Sequence, residues 1–323
     1  MLKILYAAGD NFNAKIQLSR FIKNTIGKPF QLKIAAYKKS SPLNASIDWT
    51  LDCLKFNNPN YTLNHDLFKT YLEQIKYYNP DLIISDLEYF TSYAATHLNI
   101  NVWQCSSSII NYAFTKKQKY NLGLFKQYSF LFNKNPVYVQ KIINIIDNSN
   151  KKLIYSHLGD SLSPPEIKDE YEWIRPYHQT GKISPTCEHN IVAISSLDSN
   201  KKILSLLRDI DDTVLFSPFL GEEYDNITIK TIEDESEYYC NLQNSSIFIC
   251  EGQSSFLADA FYNKKFCMVV PNYHDHESII QSVISEKLKL SKNISGVDDI
   301  EYQDISYQLN SKIYYLHEII DRI

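Results

Sequence analysis

Short apolar runs alternate with amphipathic stretches along almost the whole chain, and that alternation predicts successive βα units around parallel sheets. Residues 2–8 read as an opening strand. A polar loop, Gly9-Asp10-Asn11-Phe12-Asn13, leads from it into an amphipathic helix over 14–24. Further strands are predicted over 31–37, 81–85, 101–105 and 152–156, and then over 190–196, 213–216, 227–232, 247–250 and 266–270. Between them the 3.6-residue period marks helices over 67–78, from about Thr91, and over 137–146, 200–210 and 237–242. Another carries Ile279, Ile280, Val283 and Ile284, and a last one covers 305–323.

The pattern breaks once. From His157 to His189 it disappears into Ser163-Pro164-Pro165, a charged run and Thr180-Gly181-Lys182-Ile183-Ser184-Pro185. Such a segment is a connection between domains, and it divides the chain into 1–180 and 181–323, each a Rossmann-like α/β unit. A chain of 323 residues is long enough for two cores. His157, His178 and His189 lie in the connection without ligand spacing and read as structural or exposed.

Composition narrows the classes. No apolar run approaches the length that crosses a bilayer, and the first residues lack a charged-then-apolar leader pattern, so a cytoplasmic location is the expectation. Six scattered cysteines without a CxxC pair read as reduced thiols rather than staples or metal ligands. A net charge of −4 argues against broad nucleic-acid binding. One stretch departs from the average: Tyr112, Phe114, Tyr120, Leu122 and the aromatics up to Phe132 interleave with Lys116, Lys117, Lys119, Lys126 and Lys134. It reads as the core face of two helices with solvated lysines outside, against the alternative of a surface resting on an anionic membrane or acceptor.

The candidate chemistry centres on residues 247–260. A buried strand stops at Glu251-Gly252-Gln253, and a helix begins with Ser254 or Ser255 at the N-cap. A strand feeding a helix through a small turn leaves free N–H groups and the positive end of a helix dipole, an arrangement that holds phosphate. Asp259 follows one turn into the helix. After the next strand, Asn272-Tyr273-His274-Asp275-His276-Glu277 places polar groups at a carboxyl end, where open α/β sheets bind ligands. In the first half, a strand ending in Ser85-Asp86 is followed by Glu88 and an Ala-rich helix.

This order of turn, acid-bearing helix, apolar strand, proline and acidic loop resembles the nucleotide-sugar half of GT-B glycosyltransferases, in particular the branch of the lipid-II-forming UDP-N-acetylglucosamine transferase. The stretch 81–95 resembles the acceptor half of the same family. The sequence departs from the family at several points. Glu251-Gly252 replaces Gly-Gly, Asp259 replaces a ribose-binding Glu, Ser278 replaces a Gln, and the first loop has one Gly and no His. The resemblance implies a GT-B fold of two Rossmann-like domains facing across a cleft, with the last helix crossing back to the first domain. It implies an inverting, metal-independent transfer from a nucleotide-diphosphate sugar, with UDP as the expected carrier and no cofactor.

The same resemblance assigns donor contacts to Ser195, Gly252, Gln253, Ser254, Ser255, Asp259, His276 and Glu277. Inversion needs one general base for the acceptor hydroxyl, and Asp86, Glu88 and Asp10 all stand where one is needed. Asp86 is equally readable as a helix cap, and Asp10 and Asn13 as caps of the first helix. The acceptor class stays open between a glycan, a lipid-linked intermediate and a small molecule, with nucleic acid disfavoured by charge. Relatives using lipid-linked acceptors would place the protein peripherally at the inner face of the membrane. Two alternatives remain: a nucleotide-sugar 2-epimerase of the same fold, and a non-catalytic partner subunit.

Overall fold

The computed structural model describes residues 1–52, 65–122, 136–161, 164–178, 190–195, 200–208, 210–218, 225–232, 235–272, 275–295, 305 and 312–323. The first sheet contains β1 (Leu2–Ala7), β2 (Phe30–Ala36), β3 (Trp49–Thr50), β4 (Leu82–Ser85), β5 (Val102–Ser106), β6 (Lys151–Tyr155) and β7 (Tyr171–Ile174). Its helices are α1 (Phe12–Thr25), α2 (His65–Tyr78), α3 (Tyr89–Leu98), α4 (Ile110–Ala113), α5 (Lys116–Asn121) and α6 (Pro136–Asp147). The second sheet contains β8 (Ile191–Ile194), β9 (Thr213–Phe216), β10 (Ile227–Lys230), β11 (Ile247–Cys250), β12 (Cys267–Val269) and β13 (Ser291–Asn293). Around it stand α7 (Asn200–Leu207), α8 (Glu235–Asn244), α9 (Ser254–Tyr262) and α10 (His276–Lys287), and α11 (Leu316–Ile320) comes last.

Both sheets are parallel throughout, in the orders β3-β2-β1-β4-β5-β6-β7 and β10-β9-β8-β11-β12-β13. Central strands covered on both faces must be apolar on both faces. Ile4 to Ala7, Ile191 to Ile194 and Phe248 to Cys250 meet that requirement with every residue buried. The strand order reverses at β1/β4 in the first sheet and at β8/β11 in the second. Crevices open beyond the carboxyl ends at such reversals, so Gly9, Asp10 and Asp86 border one and Ser195, Glu251 and Gly252 border the other.

Several local boundaries differ from the sequence pattern. Strand β7 follows β6, where residues 152–156 read as the end of the first sheet, because Tyr171 and Ile174 are buried while Glu172 is exposed. That half-buried edge strand follows a proline-rich loop that conceals it. Strand β13 was hidden by its polarity, since Ser291-Lys292-Asn293 occupies the sheet edge. The last helix is confined to 316–320 among the described residues; Tyr315 ahead of it bridges Arg175, extending the β7 side of the first sheet. Leu316 and Ile320 enter the first domain's core with Ile4, Tyr6 and Phe21. Residues 312–315 and 321–323 are described and are not helical, against the predicted 305–323 span; residues 306–311, the 181–188 break, the aromatic segment 123–135 and His189 lie outside the described residues.

The two domains share apolar interior. Ile16 of α1 belongs to the second domain's core with Val192, Phe248 and Phe256, and Phe12 packs against Phe256 with ring centroids 6.0 Å apart. Reciprocally, Ile279, Ile280, Val283 and Ile284 of α10 pack among Ile109, Ile110 and Phe114. Phe114 and its neighbours on α4 thus take the core-face reading of the aromatic stretch as far as the described residues reach.

Candidate functional site at the domain interface

The first crevice is built by backbone. The Asp86 N–H donates to Ala7 O at 2.9 Å, tying β4 to β1 just beyond their paired residues. Gly9 passes so close that an added Cβ would lie 2.9 Å from Asp86 O, which explains the lone glycine of this loop. The Asp86 carboxylate is buried, accepts hydrogen bonds from Ser106 and the Gly9 amide, and is pushed up to about 6 by loss of hydration. Leu87 next to it takes the left-handed conformation at φ 51°, uncommon for a branched residue and a sign of local constraint.

The three candidate acids have separate surroundings. Glu88 caps α3, accepting from Phe90 N at 3.0 Å and Thr91 N at 2.7 Å, and it also accepts from Tyr37 Oη at 3.0 Å. The capping role that the sequence allowed for Asp86 therefore falls to Glu88. Asp10 is partly exposed and pairs with Lys39 at 3.3 Å. Asn11 caps α1 through Ala14 N at 2.7 Å, so neither Asp10 nor Asn13 does so. Asn13 turns instead toward the second domain.

The second crevice is formed by the β11–α9 turn. Gln253 occupies the N-cap position and Ser254 starts the helix. Gly252 has φ +92°, and an added Cβ would meet Ser278 O at 2.9 Å. Glu251 is fully buried, accepting from Ser195 Oγ at 2.8 Å and Gln253 Nε2 at 2.8 Å, and its carbonyl accepts from Ser278 Oγ. Ser254 and Ser255 are both 0% exposed, yet neither hydroxyl has a hydrogen-bond partner among the described residues. Gln253 Oε1 and Asn13 Oδ1 are in the same condition. Buried polar groups are rarely left this way, and here they gather at a helix N-terminus.

Glu277 joins the two crevices. It extends from the first turn of α10, accepts from Ser254 N at 3.3 Å, and reaches the first domain through Ser108 Oγ at 2.9 Å and Asn13 Nδ2 at 3.4 Å. Asn13 Nδ2 also donates to Ser107 Oγ at 3.0 Å. Burial, reinforced by Asp275, pushes the Glu277 carboxyl up to about 8. Asp86 contacts Ser106 and Glu277 contacts Ser107 and Ser108, so both acids touch the run of three serines that ends β5. The backbone of His276 begins α10; its side chain lies outside the described residues, as do Tyr273, His274 and the residues 196–199 that follow Ser195.

Asp259 is fully buried and fully engaged. It accepts from Arg20 Nη2 at 2.8 Å, Tyr239 Oη at 2.8 Å and Tyr238 Oη at 3.1 Å. Arg20 comes from α1 of the other domain and also holds Glu235 at 2.6 Å and Tyr177 O at 3.0 Å. Burial by itself would lower the guanidinium; the carboxylates of Asp259 and Glu235 more than offset it and hold Arg20 well above its ordinary value. Sequence reading overlooked Arg20, the Glu251 side chain and the contacts of Ser107 and Ser108. Asn13, Gln17 and Arg20 recur at helical spacing, which reads as a solvated face, and only the fold places that face against a second domain.

Three further polar contacts between the domains pack the interface. Ser156 Oγ donates to Gln281 Oε1 at 2.9 Å, His157 Nε2 meets Ser285 Oγ at 2.9 Å, and Tyr262 Oη donates to Asp160 at 2.5 Å. His157 stacks edge-on against Phe261 at 4.9 Å, and the His178 ring lies 3.8 Å from that of Tyr262, so both histidines are packing groups.

No family model and no curated protein matches this sequence. Solved structures do. The calicheamicin glycosyltransferase superposes with a TM-score of 0.58 at 12% identity, covering 91% of this chain and 85% of its own. The spinosyn rhamnosyltransferase SpnG gives 0.58 at 12% identity, covering 92% and 87%. A putative UDP-N-acetylglucosamine 2-epimerase from Listeria monocytogenes gives 0.52 at 10% identity, covering 90% and 87%. The chain therefore has the GT-B fold, two parallel-sheet α/β domains. That architecture is shared by sugar-transferring enzymes and an epimerase. No helix among the described residues is long and apolar enough to cross a membrane.

Proposed function

We propose that the chain is a glycosyltransferase that moves a sugar from a nucleotide-diphosphate sugar to an acceptor hydroxyl with inversion and without a metal. The observation that carries this reading is the pair of buried hydroxyls, Ser254 and Ser255, without partners among the described residues at the N-terminus of α9. A diphosphate there would accept from both hydroxyls and from the first amides of the helix, whose dipole favours negative charge. In this reading Gly252 and Gln253 shape the turn, Ser195 supports it through Glu251, and His276 and Glu277 face the donor sugar. Asp259 holds the ribose once Arg20 releases it.

The reaction needs one base. The acceptor oxygen attacks the anomeric carbon, the bond from that carbon to the diphosphate oxygen breaks, and the nucleoside diphosphate leaves with the electron pair. Asp86 takes the acceptor proton, its carboxyl raised by burial toward the working pH. Charge developing on the leaving diphosphate is met by the α9 amides and the serine hydroxyls. UDP is the proposed carrier, following the resemblance to the lipid-II-forming branch. The acceptor is a glycan, a lipid-linked intermediate or a small molecule, with the enzyme working in the cytoplasm or at the membrane's inner face.

A thermal-shift screen against UDP, GDP, dTDP, CMP and UDP-sugars tests the reading. One nucleotide should raise the melting temperature in a concentration-dependent way, and the Ser254→Ala/Ser255→Ala pair should abolish most of that shift. No stabilisation by any of them would instead favour the non-catalytic partner subunit, a reading supported by the acidic side chains of Glu251 and Glu277 beside the phosphate position. Conversion of a UDP-sugar without any acceptor would favour the epimerase.

A further inference from the structure

One face of α1 is spent entirely on the other domain. Phe12 and Ile16 enter its apolar core, Asn13 holds Glu277, and Arg20 reaches past them to Asp259 and Glu235. The Arg20 side chain is 4% exposed and Asp259 is 0% exposed, so the pair is dry. Each direction of the guanidinium fork is used: Nε on Glu235, Nη1 on the Tyr177 carbonyl, Nη2 on Asp259. Its Cζ also lies over the Tyr239 ring, 5.5 Å from the ring centroid. Breaking such a buried, multiply bonded pair by removing one partner is strongly unfavourable.

The consequence for ligand binding is competition. Both oxygens of Asp259 are accepting from protein donors, and α1 packs directly on α9 through Phe12 and Phe256. A ribose hydroxyl bonding Asp259 must displace a guanidinium that is tethered and always present. We propose that Arg20 is an autoinhibitory latch: it occupies the ribose-binding carboxylate in the closed molecule, and nucleotide binding and latch closure exclude one another. This rests on the donor reading above. The apparent affinity of such a protein for its donor is the intrinsic affinity reduced by the fraction of molecules that are open. Weakening the latch should therefore tighten binding.

Two measurements separate the latch from the donor reading. The first is amide hydrogen exchange of peptides spanning 254–262 in the wild type, Arg20→Met and Arg20→Lys, with peptides from α3 as an internal control. The latch predicts exchange at least tenfold faster at 254–262 in Arg20→Met, an intermediate rate in Arg20→Lys, and no change in α3. Arg20→Lys keeps a cation at the site, so it carries the comparison if Arg20→Met does not fold. Equal exchange at 254–262 in all folded forms overturns the latch, whatever the ligand.

The second is titration with the nucleotide found by the thermal screen. A dissociation constant at least tenfold lower in the weakened variants supports competition, and equal constants overturn it. If no nucleotide binds any form, the donor reading fails, and the exchange result alone decides whether Arg20 closes the molecule.

Discussion

In the proposed reaction the carboxyls to compare are Asp86 and Glu277, whose environments drive them to different places. Asp86, pushed up to about 6, is ionised through most of the neutral range and can accept a proton; Glu277, pushed up to about 8, holds one there. Pairs of acids separated in this way divide acid and base roles. With Glu88 committed to capping α3 and Asp10 paired at the rim, Asp86 is the base to test. Asp86→Asn should lower kcat by about 10²–10⁴-fold, the usual worth of a general base. In the wild type kcat/KM should rise with pH through about 6 and level off, while any residual activity of the variant lacks that limb. A variant keeping most of its activity would move the role to Asp10. The sequence placed Asp86 at a strand's carboxyl end but could not rank it, because what singles it out is burial against Gly9 and Ser106, contacts made across three strands.

At the scale of elements, the β11–α9 turn shows what local pattern reveals and what it hides. An apolar run halted by Gly252 and followed by two serines announces strand, turn and helix, and the structure has all three. The side chain of Glu251 gave no such signal: it stands in a turn that phosphate sites leave to glycine, and only the fold shows it turned inward onto Ser195. Gly252 is required twice over, by φ +92° and by Ser278 O, which an added Cβ would approach to 2.9 Å, with Val269 Cγ1 at 3.1 Å. Gly27, at φ +80°, has nothing within 4 Å of that position and isolates the backbone contribution. Gly27→Ala should therefore cost about 1–2 kcal/mol, and Gly252→Ala appreciably more. Thermal unfolding of both variants checks this, and equal losses would mean that the crowding at Gly252 is relieved without consequence.

At the scale of the molecule, the two parallel α/β units were legible because βα units carry their own periodicity. How the halves meet was not, since polar residues that bridge domains have the same spacing as residues that face water. That interface also sets how the fold responds to pH. Glu277 is closed in by Asp275 at the N-cap of its helix, by Asn13, by Ser107 and Ser108, and by the Ser254 amide; burial and Asp275 raise it from 4.5 to about 8. The folded chain thus holds a proton that the unfolded chain has lost, and stability falls as pH rises between those values. Asp86 acts in the same sense from 3.8 to about 6. His157, lowered by burial from 6.5 to about 3, and His178, lowered to about 4, act in the opposite sense: the unfolded chain takes up protons that the folded one refuses. Between about pH 4.5 and 6 the two acids and two histidines nearly cancel. Of these four groups, only Glu277 still differs between the folded and unfolded chains above 6.5, and only His157 does between about 4 and 3. The melting temperature should show a plateau in mildly acidic buffer with a decline on each side. From pH 6.5 to 8 the alkaline limb amounts to roughly 2 kcal/mol at about 1.4 kcal/mol per pH unit. Glu277→Gln should flatten that limb and leave the acid limb in place, and a limb that persists unchanged in the variant would show that the proton is held elsewhere.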